Sequence, residues 1–264
     1  MSDFFRLSYY SWIELQGHIR PALLVITKIL NPVFTMLFFI FMVKHARPEA
    51  NMKFLVLGNA LLINSFVAAF NTAVAFTHER QRGTLSLIIA SPVSRIRIFL
   101  AKGFPFLVEA FLISVLALVL GALLTGTKLF SPSLMAGCLW LFMAGVFSSF
   151  CVGAAVSVLN LLVRDILIIT NSLWFVMVIF SGVHVNPENL PIIMLKLKPF
   201  IPMSHAIEGL RLITSSGPGI PWGELFLHVG LELLMGVGYL AVGFISFSLI
   251  EKIAIKAGRL DLSS

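Results

Sequence analysis

Six apolar stretches constrain this chain more than any other feature of it. They are Ala22–Val43, Phe54–Phe76, Phe104–Leu124, Leu134–Val163, Ile166–Val183 and Leu225–Ile250, and together they hold 140 of 264 residues. A helix needs about 20 apolar residues to cross a hydrocarbon core, and only Ile166–Val183 is short of that. Their only charges are Lys28, Glu109 and Glu232. Lipid offers no partner to an exposed amide, so such stretches span as helices that satisfy their own backbone. The reading is an all-α membrane protein with six transmembrane helices. Composition agrees: 58% of residues are hydrophobic and 12% charged, with a mean hydropathy of +0.98. Soluble domains are about a quarter charged, so soluble enzymes, disordered chains and disulfide scaffolds are excluded. Cys138 and Cys151 share one apolar stretch without C-x-x-C spacing. They imply neither a disulfide framework nor a zinc site.

The segments between the spans are short. The longest, 184–224, has 41 residues, too few for a soluble domain of ~100 residues. The chain contains no G-x-x-x-x-G-K-[ST] phosphate loop, so any use of ATP requires a second chain. We read 1–264 as a single transmembrane domain: an interfacial helix over 1–21, a six-span bundle over 22–250 and a cytoplasmic tail over 251–264. Ala22–Val43 is longer than a signal-peptide core and lacks a small-residue cleavage site, so it is expected to be a true span. Asn31-Pro32 is expected to bend it, because Pro removes a backbone donor.

Basic residues set the orientation. With the N-terminus inside, the inner segments hold eleven of them and the outer segments seven. The loop between spans two and three decides the choice, with Arg80, Arg82, Arg95, Arg97 and Lys102. Both termini are then cytoplasmic. The net charge of +7 suits a face meeting anionic lipid and needs no nucleic acid.

Three inter-span segments carry information. In 3–20, Phe5, Tyr9, Trp12 and Ile19 share one side of a helix, away from Asp3, Arg6, Glu14 and His18. This predicts a helix lying in the membrane interface, against the alternative of a frayed tail. In 78–102, a turn at Gly83 precedes a short apolar helix, Thr84–Ala90. Ser91-Pro92 ends it, and a basic helix, Ser94–Lys102, leads into span three. A short apolar helix bracketed by Arg needs a cover, either a protein partner or the headgroup layer. Segment 184–224 holds six of the twelve prolines. Its apolar pieces are too broken to span, and they are expected to form two short helices dipping into the outer leaflet rather than a surface loop.

The charges inside the spans are costly in hydrocarbon and call for partners. Glu109 lies near the cytoplasmic end of its span, within reach of Arg97 or Lys102. Glu232 has His228 four residues before it, on one helical face. Lys28 lies near an inner end and can snorkel. Asn59, Asn64 and Asn71 are expected to bond to neighbouring helices, and Gly137, Gly145 and Gly153 to permit close packing.

Two stretches carry a family resemblance. ERQRGTLSLIIASPVSR, residues 79–95, resembles the cytoplasmic loop of bacterial ABC-2 type permeases in Glu79, Arg80 or Arg82, Gly83-Thr84-Leu85, the apolar run Leu87–Ala90 and Pro92. Residues 180–211 resemble the family's segment after span five in Ser181-Gly182, Pro187 and Pro191, Pro202 and Leu210-Arg211. Ser86 departs from the acidic residue many members carry there. The resemblance implies a permease that pairs as a homodimer or heterodimer over two ATPase subunits, which bind ATP and Mg. It implies that residues 79–92 form a coupling helix seated in the ATPase, and that residues 187–211 form re-entrant helices at the outer end of the path. The cargo it implies is hydrophobic or amphipathic: a drug, a lipid or a lipid-linked glycan, exported across the bacterial cytoplasmic membrane. No cofactor, metal or catalytic set is expected on this chain. A secondary transporter or channel would show internal repeats and midplane charges. An intramembrane enzyme would need a nucleophile and base, and His184, His205 and His228 lie scattered along the sequence.

Overall fold

A computed structural model describes residues 2–16, 20–81, 83, 95–129, 131–160, 166–185, 191–216 and 219–256. The described residues are nearly all helical and include no strand. We label the helices α1 (Ser2–Gln16), α2 (Pro21–Val25), α3 (Asn31–Ala46), α4 (Met52–Gln81), α5 (Arg95–Thr125), α6 (Pro132–Asn160), α7 (Ile166–Phe180), α8 (Ile192–Leu197), α9 (Ser204–Ser215) and α10 (Trp222–Lys256). Five helical stretches are long and apolar enough to cross a membrane: Ala22–Ala46, Met52–Ala75, Leu100–Thr125, Pro132–Leu159 and Trp222–Leu249. The fifth stretch expected from the sequence forms α7, a 15-residue helix. At 1.5 Å per residue it reaches roughly 22 Å, short of a ~30 Å hydrocarbon core.

The first span does more than bend. A π-helical turn, Ile26–Leu30, separates α2 from α3, immediately before Asn31-Pro32. Proline has no N–H to give, and its ring crowds the carbonyl four residues back. A wider turn relieves that clash, and such π turns cluster at functional places. Pro105 sits inside α5, which remains one helix from Arg95 to Thr125.

α4 and α6 form the heart of the bundle. In the most apolar window of each, 83% of residues are buried, against 17% in the first span. Apolar burial gives little drive in lipid, so close packing must hold helices together. The three glycines of α6 supply it. A Cβ on Gly153 would lie 2.3 Å from the Ala69 carbonyl oxygen of α4. A Cβ on Gly145 would lie 2.8 Å from Leu61, also of α4, and Gly137 faces Ile213 of α9 and Leu225 of α10. Asn64 Nδ2 adds a bond to the Phe142 carbonyl, at 3.4 Å. Cys138 and Cys151 are free and buried in α6.

α1 packs along α5. Ser8 and Ser11 are buried, while Phe5, Tyr9 and Trp12 stay exposed. Phe4 and Phe5 meet Phe104 of α5 edge to face, and Lys102 pairs with Glu14 at 3.7 Å. We call this the near end of the bundle, and the end carrying α8 and α9 the far end.

Candidate functional site

The near end holds what the described residues show of the Gly83 loop. Glu79 lies in the last turns of α4, and Gly83 turns with φ of 70°. That left-handed backbone favours glycine. Arg82, Thr84, Leu85 and Pro92 lie outside the described residues, as does the predicted helix Thr84–Ala90. Helix resumes at Arg95 and runs without a break into α5.

Beside a groove at the first span, Lys28 of the π turn meets Glu109 of α5, Nζ to Oε1 at 2.5 Å, both side chains being partly exposed. The sequence suggests Arg97 or Lys102 as the partner of Glu109; the structure sets Lys28 of the first span against it. The signal was legible in the Asn31-Pro32 step, but the rotation of Lys28 inward depends on the π turn that the step provokes.

Two hollows meet at Lys28. One is a groove of about 530 Å³ between α1, the first span and α5, lined by Tyr9, Trp12, Leu24, Phe104, Val108 and Leu112 among others. Its walls are apolar except near Ser8 and the ion pair. The second is a cavity of about 400 Å³ between the first span, α4, α5 and α7. Thr27, Asn31, Thr35 and Asn71 give it polar walls, with Phe66 and Trp174 opposite. Lys28 borders both hollows and Glu109 borders the groove. An amphiphile could thus set its apolar part in the groove and its polar part against Lys28.

The far end is closed by the segment after α7. Ser181 is buried, its Oγ donating to the Val178 carbonyl at 2.8 Å. Gly182 turns with φ of 76°, and its carbonyl accepts from Arg211 Nη2 at 2.6 Å. The Arg211 guanidinium lies 4.8 Å over the Phe54 ring, a cation–π contact. Arg47 donates to the His184 carbonyl at 2.6 Å. His184 stacks on Phe39 and shares a 2.9 Å hydrogen bond with Asn59. Burial pushes its imidazole down to about 4, so it is neutral at pH 7.

Pro191 caps α8, whose short run leads through buried Pro202 into α9. The segment holds two short helices, α8 and α9, while Pro187 lies outside the described residues. α9 buries Ala206, Ile207, Leu210 and Ile213. Its N-terminus has no side-chain cap of its own, since the preceding residue is Met203, held at φ of 65°. Glu232 of α10 supplies the cap. Its fully buried carboxylate accepts from Met203 N–H at 2.6 Å, from Ala206 N–H at 3.1 Å and from the Ser148 hydroxyl of α6. A carboxylate at a helix N-terminus meets both orphan amides and the positive end of the helix dipole.

Glu232 therefore does not take His228 as its partner, as its own helix suggested. His228 turns instead toward Glu208 of α9, Nδ1 to Oε2 at 4.0 Å. His205 lies on the same oxygen at 3.9 Å, and Lys198 holds the other carboxylate oxygen at 2.6 Å. Burial, the largest influence, holds His205 below the usual imidazole range. Two histidines that look scattered in the sequence are thus neighbours around one carboxylate.

A family model described as ABC-2 type transporter matches residues 7–214. No curated protein matches the chain.

Proposed function

The chain belongs to the ABC-2 type transporter family, and on that premise we propose that it exports an amphipathic molecule, powered by a separate ATPase. It is a multi-pass membrane permease; the family generally works with an ATPase subunit. The finer reading is our own. The near end faces the cytoplasm, both termini lie there, and the membrane is the bacterial cytoplasmic membrane. The basic loop between α4 and α5 supports this orientation. A second permease subunit, identical or related, completes the path.

One observation carries the reading of the cargo. An apolar groove and a polar cavity meet at Lys28, which Glu109 neutralises at 2.5 Å. A purely apolar molecule would need only the groove, and a small ion only the cavity. A lipid or lipid-linked glycan uses both, its tail in the groove and its headgroup beside Lys28.

The loop Glu79–Pro92 is the ATPase contact in this reading. α5 is one continuous helix from Arg95 to Thr125 and contains Glu109. A push received at its near end reaches the ion pair through a single rigid element, the kind of link coupling requires. Gly83→Pro and Leu85→Glu should each leave membrane insertion and ATPase binding measurable while abolishing transport-coupled ATP hydrolysis. A cysteine at Leu85 should cross-link to the ATPase subunit. Normal transport by both variants would sink the lever assignment.

A further inference from the structure

We infer that His205, Glu208 and His228 form a binding site for a zinc-class transition metal ion, which ties α9 to the last span. The three ligand atoms, one from each residue, all lie within 4.8 Å of one another. His205 and Glu208 are one turn apart on α9, and His228 comes from α10, so the set spans two helices joined by the 216–221 turn. Two imidazoles and one carboxylate are a donor set that zinc takes readily, with a water completing a tetrahedron.

The surroundings orient the donors as a metal site requires. His205 presents Nδ1 to Glu208 Oε2 at 3.9 Å, the nitrogen a metal would take when the other ring nitrogen carries the proton. Lys198 Nζ holds Glu208 Oε1 at 2.6 Å, which leaves Oε2 facing both imidazoles. The Nδ1 atoms of His205 and His228 are buried and have no hydrogen-bond partner. A buried nitrogen without a partner is costly, and a metal is a partner. Bonds of about 2.0–2.1 Å place tetrahedral ligand atoms about 3.4 Å apart. The separations to Glu208 Oε2 are 3.9 and 4.0 Å, and all three ligand atoms lie within 4.8 Å, so binding an ion draws the three side chains together.

The ion would fix α9 against α10 one turn away from the Glu232 cap, so that the far-end closure is held at two points. The proposed orientation puts this site outside the cytoplasm. The site itself rests on the residues alone and stands apart from the ATPase reading.

The test uses the full chain, purified in detergent, dialysed against chelator and titrated with zinc chloride by calorimetry. One ion per chain should bind with micromolar or tighter affinity. His205→Ala and His228→Ala should each weaken binding about 100-fold and Glu208→Gln about 10-fold, on the scale typical of ligand and near-ligand changes. The exposed His45→Ala should bind as the parent does. Cobalt titrated into the unaltered chain should give the visible bands of a tetrahedral site, which decides the matter even if a variant fails to fold. No saturable zinc binding by the folded chain, or unchanged binding after both histidines are replaced, would overturn the site.

Discussion

At the residue scale, single side chains here act by satisfying helices other than their own. Glu232 is the clearest case: it is fully buried, yet it accepts from two amides at the start of α9 and from Ser148. Glu232→Ala would leave the two amides buried without an acceptor, at about 1–3 kcal/mol for each unsatisfied group, while the Ser148 hydroxyl keeps the Gly145 carbonyl as an acceptor. We expect thermal unfolding of the detergent-solubilised protein to occur several degrees lower, with Glu232→Gln intermediate because its amide keeps one acceptor. Unchanged unfolding in the alanine variant would remove the cap from the account. The sequence marked Glu232 and Glu109 as residues needing partners, because charge in an apolar run is costly. It did not reveal the partners. Helical spacing brings His228 beside Glu232, whereas the true donors come from α6 and α9, far away in the chain. For Glu109 the partner depended on a π turn, which follows from Asn31-Pro32 only once the crowding at Lys28 is worked through.

At the scale of elements, the apolar runs were legible because 3.6-residue geometry and bilayer thickness fix their length. The end of α7 at Phe180, three residues before the apolar run stops, was not: Ser181 and Gly182 turn the chain to meet Arg211. The glycine spacing in α6 was readable as close packing, and it serves contacts within this chain. Gly153→Ala should cost about 2 kcal/mol, because overpacking costs typically ~1–3 kcal/mol where the neighbour is backbone that cannot retreat. Its added Cβ would lie 2.3 Å from the Ala69 carbonyl oxygen. A monodisperse, equally heat-stable Gly153→Ala protein would contradict the packing described here. The Lys28–Glu109 pair also belongs at this scale, since it joins the first span to α5. Lys28→Met and Glu109→Gln should each impair transport strongly, since each removes one charge of the pair that joins the two spans. The exchange Lys28→Glu with Glu109→Lys should recover part of the fold stability but not transport. Full recovery of transport by the exchange would show that the pair is only structural.

At the scale of the whole molecule, the proposed function makes this chain a passage driven by a separate motor. Its described helices build a groove, a polar cavity and a pinned far-end closure, and its longest inter-span segment of 41 residues cannot hold an ATPase. The fold class was readable from composition and hydropathy alone. The site was readable only in outline, because its parts come together from the first span, α5, α9 and α10. The measurement that tests the central claim most directly is transport in proteoliposomes. The chain is reconstituted with and without its ATPase subunit, and movement of a labelled amphiphile across the bilayer is followed as ATP is added. The account predicts ATP-dependent movement in one direction only when both chains are present, with no hydrolysis by this chain alone. Movement by this chain alone, driven by an ion gradient or running down the amphiphile's own gradient, would contradict it.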